Sequence, residues 1–215
     1  MDNGRSASYT YDALARLSTA GTTGSTGYPQ WGLSFTYDRY GNRTAETQTA
    51  GSPPSNSVAV STTTNRITTS GYSYDASGNM TNDGYNTLVY DGENRATSAT
   101  NGSASATYSY DANGLRVKKA VQNGTTTVYL FSGSKVVAEY ENGAAPASPT
   151  REYIYSGEAL VAKIEGGSTV YYHPDQLSVR VTTNSSGTVA GQQGHYPFGE
   201  SWYLTYAHFF DLNPV

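Results

Sequence analysis

The 215-residue sequence contains no cysteine, few charges and no long apolar run. The lack of cysteine excludes disulfides and thiolate metal sites, although it does not identify a compartment. Charged residues make up 14% of the chain and form no basic block, so nucleic-acid binding is not expected. No apolar stretch approaches the length of a membrane span. Residues 1–5 do not resemble a signal peptide, so any export signal is expected in a longer parent chain.

Large aliphatic side chains are also scarce, because Leu, Ile, Val and Phe together account for only 32 residues. Aliphatic content this low is typical of disordered chains. Disordered segments are, however, poor in aromatics and rich in charge, whereas this chain has 20 tyrosines and a net charge of only −4. A buried tyrosine removes an apolar ring from water while its hydroxyl keeps a partner. We therefore expect a folded chain whose core is built largely from tyrosine.

One phrase recurs five times, in the form Tyr-x-Tyr-Asp or a close variant. The copies are Tyr9–Asp12, Phe35–Asp38, Tyr72–Asp75, Leu88–Asp91 and Tyr108–Asp111. The spacings between successive Asp residues are 26, 37, 16 and 20, so the connecting loops vary in length. In three copies a glycine stands three residues after the Asp. Such a repeat points to a chain assembled from one small structural unit.

Each copy is interpreted as a strand, a turn and a returning strand. Tyr-x-Tyr places two rings on one face of a strand, because side chains alternate with a period of two. The Asp carboxylate is expected to accept a backbone N–H in the following turn, and the glycine supplies a positive φ. The sequence therefore predicts an all-β fold of antiparallel hairpins, with no helix.

The second half keeps the hairpin rhythm without the phrase. Predicted strands there are 125–130, 136–140, 151–155, 160–164, 169–173, 179–183 and 188–192, separated by short turns rich in Gly and Ser. Three polar segments rich in Gly, Ala, Ser or Pro are expected to be loops, namely 19–30, 49–56 and 142–149.

The repeated phrase resembles the YD repeat of RHS proteins, teneurins and bacterial toxin-complex shells. Residues 171–180, Tyr-Tyr-His-Pro-Asp-Gln-Leu-Ser-Val-Arg, and 195–200, His-Tyr-Pro-Phe-Gly-Glu, resemble two phrases of the RHS-associated core. The resemblance runs from about Tyr9 to Tyr203 and implies a curved strip or partial β-shell, a YD-repeat spiral. On this basis we expect YD-repeat hairpins over 1–122, core-like hairpins over 123–203 and a divergent tail over 204–215.

Two departures from the family pattern bear on function. The glycine of a Leu-Gly-Ser phrase is missing between Leu177 and Ser178, and His195-Tyr196 stands where Tyr-Asp is commoner. After Tyr203 the sequence resembles nothing in the family, so we expect a truncated or frameshifted end near residue 204. The self-cleavage that the family core performs is therefore not expected of this chain.

The resemblance implies a non-catalytic structural segment of a shell that encloses a toxin or other cargo domain in the parent. Its expected partners are the rest of that shell and the enclosed cargo, in an extracellular or cell-surface location. An open strip also exposes strand edges, which favours self-association. The alternative is a module that binds carbohydrate or a cell-surface ligand through exposed tyrosines, although Tyr-x-Tyr rows more often build a sheet through cross-strand pairs.

Three groups of residues have side chains that could support chemistry. His173 and Asp175 lie two apart and could form a general base or half a metal site, but a structural hydrogen bond at a strand end is the favoured interpretation. His195 and His208 have no metal-ligand spacing. The repeated Asp residues could suggest calcium, which needs roughly six to eight converging oxygens, but turn capping explains them more simply. No catalytic, cofactor-binding or metal residue is assigned, and no cofactor is expected.

Overall fold

The computed structural model describes residues 6–55, 57–174 and 179–205, and the regular structure in these ranges is entirely β-strand. The strands are β1 (Ser8–Tyr11), β2 (Leu17–Thr22), β3 (Trp31–Tyr37), β4 (Arg43–Ala50), β5 (Tyr72–Tyr74), β6 (Met80–Asp83), β7 (Thr87–Tyr90), β8 (Ala96–Asn101), β9 (Ala104–Tyr110), β10 (Arg116–Val121), β11 (Thr126–Ser132), β12 (Lys135–Glu141), β13 (Arg151–Ser156), β14 (Ala159–Glu165), β15 (Ser168–Pro174), β16 (Val179–Asn184), β17 (Val189–His195) and β18 (Ser201–Thr205). Within the described residues, no helix is long and apolar enough to cross a membrane. The predicted all-β class is confirmed.

Strands that are neighbours in sequence are neighbours in the sheets. β1–β4 form a four-stranded sheet, and β5–β18 form a fourteen-stranded sheet in the same sequential order. The pairings described are antiparallel, for example Thr127↔Glu141 and Tyr153↔Lys163. This is the strip of successive hairpins that the sequence predicts.

The register shifts beside many of the turns. Shifts fall between Thr36 and Tyr37 and between Val89 and Tyr90, immediately before Asp38 and Asp91. A β-bulge of this kind bends the strand and increases its local right-handed twist. The bulges therefore supply the local curvature expected of a YD-repeat strip.

The strands predicted for the second half are confirmed to within three residues as β11–β17. Two of the predicted loops began too early, because β2 continues to Thr22 and β4 continues to Ala50. Small residues allow this extension, since a Cβ on Gly21 would lie 2.9 Å from the Trp31 carbonyl oxygen. The Gly and Thr content of these two segments resembles that of a loop. They are nevertheless strands, because two backbones approach each other closely there. Residue 56 lies outside the described residues.

The chain divides into two compact units. The first comprises residues up to Tyr72 together with His195–Trp202, and the second comprises Ser73–Gly194 and the chain from Tyr203 onward. The sequence-based division at residue 122 separates the YD-repeat hairpins from the core-like hairpins. It stays a prediction. The tail from residue 206 lies outside the described residues.

Each unit has a small core of its own. In the first, Ala20, Trp31, Leu33 and Phe35 are buried on β2 and β3. In the second, the buried cluster is Tyr129, Val136 and Tyr153. Two of its three members are tyrosines, as the composition predicts, whereas the first core depends on Trp, Leu and Phe.

Candidate functional site

The five phrases close five turns of one geometry. In each, the Asp N–H donates to the carbonyl of the residue four positions later, and the N–H three positions later donates back to the Asp carbonyl. The residue three positions after the Asp has a positive φ in every copy: Ala15 (59°), Gly41 (88°), Gly78 (95°), Asn94 (62°) and Gly114 (82°). A type I turn followed by a left-handed residue is a common three-residue hairpin connection. The hairpin interpretation of the phrase is confirmed.

The Asp side chain caps the turn that it begins. In the second copy Asp38 Oδ1 accepts the N–H groups of Tyr40 at 2.8 Å and Asn42 at 2.9 Å. Equivalent bonds from the N–H four residues later reach Asp12, Asp75, Asp91 and Asp111 at 2.8 to 2.9 Å. The prediction that these carboxylates accept backbone N–H groups at strand ends is confirmed in all five copies.

The side chain four residues after the Asp adds a further donor. Asn42 Nδ2 lies 2.8 Å from Asp38 Oδ2, and Arg95 Nε lies 2.8 Å from Asp91 Oδ2. The Asn42 amide lowers the pKa of Asp38 below its ordinary value, and the pKa of Asp91 is lowered chiefly by the backbone N–H of Arg95, with a further contribution from the Arg95 side chain. The first and third copies repeat the pattern, with the pKa of Asp12 and Asp75 lowered.

The second tyrosine of the phrase ties its hairpin to the preceding one. Three hydroxyls donate to main-chain carbonyls: Tyr37 to Leu17 at 2.7 Å, Tyr90 to Met80 at 2.8 Å and Tyr110 to Ala96 at 2.6 Å. Each acceptor lies five residues after the Asp of the preceding phrase. We call this contact the inter-repeat joint, and it recurs although the loops between the copies differ in length.

In two joints an arginine also covers the tyrosine ring. The guanidinium of Arg16 lies 4.8 Å from the Tyr37 ring centroid, and that of Arg95 lies 5.1 Å from the Tyr110 centroid. Since each arginine also pairs with its own Asp, a carboxylate, a guanidinium and a phenol form one continuous stack. Cation–π contacts at such partly exposed positions contribute about 0.5–1 kcal/mol. The joint therefore uses the same residues that cap the turn.

A charged network lies in the second unit. Arg151 Nη1 contacts Glu139 Oε2 at 2.9 Å and Glu141 Oε1 at 2.6 Å, and its Nε lies 2.9 Å from Glu165 Oε1. Lys163 Nζ lies 2.8 Å from Glu165, and the Lys163 side chain is only 1% exposed. Burial lowers the pKa of Arg151, but its bonds to the glutamates outweigh this and hold the pKa above its ordinary value.

The structure describes only some of the residues named for possible chemistry. His173 Nε2 lies 2.9 Å from Thr183 Oγ1 on the adjacent strand β16, while Asp175 and His208 lie outside the described residues. Within the described ranges, three or more His, Cys, Asp or Glu side chains nowhere converge as metal ligands would. The repeated Asp residues are engaged in turn capping, as favoured from the sequence.

No family model matches the chain. Two proteins with sequence similarity are tRNA3(Ser)-specific nuclease WapA of Bacillus spizizenii and tRNA nuclease WapA of Bacillus subtilis. Each is 34% identical over 118 residues, which is 52% of this chain and 5% of the relative. The chain thus spans only a small part of the length of these proteins.

Two solved structures of TcdB2-TccC3, one of them with Cdc42 in its name, match 95% of the chain with TM-scores of 0.72 and 0.69. The chain has the YD-repeat (RHS-type) fold. Sequence identity to both is 17%, so the likeness is one of fold, and the chain covers 12% and 13% of their lengths. The resemblance drawn from the Tyr-x-Tyr-Asp phrases is thereby confirmed.

The YD-repeat turn also occurs where the phrase is absent. Asn184 replaces the Asp, with its Oδ1 accepting the N–H groups of Ser186 and Thr188, both at 3.0 Å. Tyr196 begins another such turn, in which Gly199 has a φ of 102°. Asp83 caps a tighter turn that the sequence analysis missed, accepting the Asn86 N–H at 2.6 Å. Its signal was the Asp-Gly pair, which is a common turn dipeptide.

Proposed function

We propose that this chain is a non-catalytic wall segment of an RHS/YD-repeat protein, part of a β-shell that encloses a toxin or other cargo domain of its parent. The observation that carries the proposal is the inter-repeat joint. Tyr37, Tyr90 and Tyr110 bind the preceding hairpin through a main-chain carbonyl, which every residue possesses. A joint of this kind can link many hairpins whose sequences vary, and a wall requires this property. The parent is expected to act outside the cell or at its surface.

The absence of catalysis is part of the proposal. The five Asp carboxylates are occupied by turn N–H groups, and His173 is paired with Thr183. The nuclease activity in the names of the WapA proteins belongs to chains of which this one covers 5%. We therefore expect the purified chain to cleave neither tRNA nor ester, peptide or glycoside substrates above a heat-treated control. Cleavage that disappears in His173→Ala or Asp175→Ala would overturn this part of the proposal.

The enclosing role is tested in the longer parent protein by limited proteolysis. A cargo domain inside an intact wall should resist a broad-specificity protease. Simultaneous Tyr90→Phe and Tyr110→Phe substitutions remove two joint hydrogen bonds and should speed cargo cleavage. The control is Tyr85→Phe, since Tyr85 is 80% exposed. Equal cleavage rates in all three proteins, or immediate cleavage of the wild-type cargo, would contradict enclosure.

A second candidate function is recognition of carbohydrate or another cell-surface ligand. Tyr9 and Tyr11 favour it, because they lie two residues apart on β1 and are 44% and 63% exposed. Aromatic rings on one face of an edge strand could stack against the apolar face of a sugar. A glycan array distinguishes the two functions, since this module should bind a defined glycan and lose binding in Tyr9→Ala and Tyr11→Ala, whereas a wall segment should bind none.

A further inference from the structure

Residues 196–202, a turn followed by the start of β18, pack on the core of the first unit, and we call this segment the latch. The Tyr196 N–H donates to the Glu200 carbonyl at 2.8 Å, and the Gly199 N–H donates to the Tyr196 carbonyl at 3.0 Å. The geometry is that of the YD-repeat turn, but Tyr196 takes the place of the capping Asp. An aromatic ring therefore stands where the turns of the five phrases have a carboxylate.

The latch contacts one face of β3 and β4, which we call the receptor face and define by Trp31, Phe35 and Arg43. Tyr196 packs edge-on against Trp31 with ring centroids 5.0 Å apart. Phe198 lies between two members of the face, with its centroid 5.0 Å from that of Phe35 and 4.2 Å from the Arg43 guanidinium carbon.

Trp202 is the third aromatic residue of the latch, and it packs against the Trp31 indole. Its ring centroid is 5.8 Å from that of Trp31, with an interplanar angle of 73°. Trp31 is only 2% exposed, and burial raises the pKa of Tyr196. The indole thus lies beneath rings supplied by a segment more than 160 residues away in the sequence.

The geometry points to a binding site rather than to a permanent core contact: we propose that the receptor face recognises an aromatic–Pro–aromatic–Gly turn, and that Tyr196–Gly199 occupies it as an exchangeable latch. The described four-stranded sheet consists of β1–β4 alone, so no strand pairing in it holds the latch. The contacts on the receptor face are those of side-chain rings. Phe198 also remains 46% exposed, so it is seated on the face rather than enclosed by it.

Unsatisfied polar atoms at the same place favour exchange. Trp31 Nε1, His195 Nδ1 and Glu200 Oε2 are inaccessible to solvent and have no hydrogen-bond partner among the described residues. A buried polar group without a partner is unfavourable. Undocking the latch uncovers the Trp31 indole, returns water to its Nε1 and so offsets part of the ring contacts that are lost. Docking is therefore reversible in a way that a strand pairing would not be.

The test uses the full chain and a synthetic peptide of residues 194–203, Gly-His-Tyr-Pro-Phe-Gly-Glu-Ser-Trp-Tyr. The release variant is Tyr196→Ala with Phe198→Ala, and the matched control is Val189→Ala at an exposed position on β17. The labelled peptide should bind the release variant at least tenfold more tightly than the wild type or the control. A tethered latch competes at an effective concentration on the order of millimolar, which excludes the free peptide. A peptide carrying both Ala substitutions should bind none of the chains.

Circular dichroism of the close Trp31–Trp202 pair provides a second readout. The coupled indole signal should fall in the release variant and return when the peptide, which carries its own Trp, is added. Gly199→Val is a second variant, and it changes none of the aromatic residues. It should strain the turn instead, because the φ of 102° at residue 199 disfavours any side chain there. Equal peptide binding by wild type and both variants, or no binding by variants that keep a β-sheet spectrum, would overturn the proposal. Failure of both variants to fold would also overturn it, because the latch would then be an integral part of the core.

Discussion

The hydroxyl of Tyr110 donates to the carbonyl oxygen of Ala96 across 2.6 Å, and this one bond joins two successive hairpins. Arg95, the residue before the acceptor, lies over the ring of the same tyrosine. The turn of one repeat therefore presents both a carbonyl and a cation to the next. Because the acceptor belongs to the main chain, the joint places little demand on the sequence of the preceding hairpin.

Removing the Tyr110 hydroxyl should weaken the chain measurably. Tyr110→Phe keeps the ring under Arg95 but leaves the Ala96 carbonyl without its donor. The expected loss is about 0.5–1.5 kcal/mol in the free energy of unfolding, measured by urea denaturation. Tyr85→Phe, at a position 80% exposed, should change stability by less than about 0.5 kcal/mol. Equal losses in the two variants would argue against the joint.

Acid should destabilise the chain through the capping carboxylates. The pKa values of Asp38 and Asp75 are lowered in the fold, chiefly by the Asn42 and Asn79 amides. Groups with a depressed folded pKa stabilise the fold above their unfolded pKa of about 4, and this contribution is lost as the pH falls through the folded value. The free energy of unfolding should therefore decrease below about pH 4. Asp75→Asn keeps a capping oxygen, as at Asn184, and should flatten this dependence. An unchanged slope in that variant would contradict the assignment.

Glycine should be favoured at both of two equivalent turn positions, so removing it from one and introducing it at the other should change stability in opposite directions. Gly114 has a φ of 82° and open space around the position of a Cβ, so Gly114→Ala isolates the backbone strain. A non-glycine residue in the left-handed region costs about 1–2 kcal/mol, and stability should fall by about that amount. Ala15 has a φ of 59°, so Ala15→Gly relieves strain there and should stabilise by up to about 1 kcal/mol. Thermal unfolding of both variants checks the signs, and equal signs would mean that the two turns are not equivalent.

Breaking the charged network of the second unit should be costly. Arg151→Gln leaves the Glu139 side chain, which is 6% exposed, without its cationic partner. Loss of one partner of a buried pair destabilises by about 3 kcal/mol or more. Lys135→Gln is the control, because its partner Glu158 is 92% exposed and such pairs contribute about 0–1 kcal/mol. Chemical denaturation should separate the two variants clearly, and similar small losses would show that water reaches the network.

Self-association should begin at the first strand. The four residues of β1 are all exposed, and β1 is an edge of its sheet. An exposed edge with aromatic side chains is a template for pairing with another chain. We expect oligomers at micromolar concentration by light scattering coupled to size exclusion, and Tyr9→Lys should reduce them. Tyr85→Lys, which adds the same charge away from β1, should not. A monomeric wild type, or equal effects of the two substitutions, would overturn this prediction.

The local architecture was readable in the sequence because its causes lie within five residues. The alternation of Tyr-x-Tyr predicted strands, and Asp38 followed by Gly41 predicted a capped turn with a positive φ. The turns that lack the phrase were harder to recognise. Asn184 begins a turn predicted from its Asn-Ser-Ser-Gly composition, whereas Asp83 was missed because its loop is shorter than that of the repeats.

Only the tertiary structure identified two kinds of contact partner. Some partners are main-chain groups that no residue type marks, and others lie far apart in the sequence. Leu17, Met80 and Ala96 accept the joint hydrogen bonds through carbonyls, so their side chains do not mark them as acceptors. The burial of Lys163 depends on the strands that flank it. The contact between Phe198 and Phe35 joins residues that are separated by most of the sequence. Turn chemistry is local and is therefore encoded in short phrases. Which rings and charges become buried depends on which strands meet, and only the folded chain determines that.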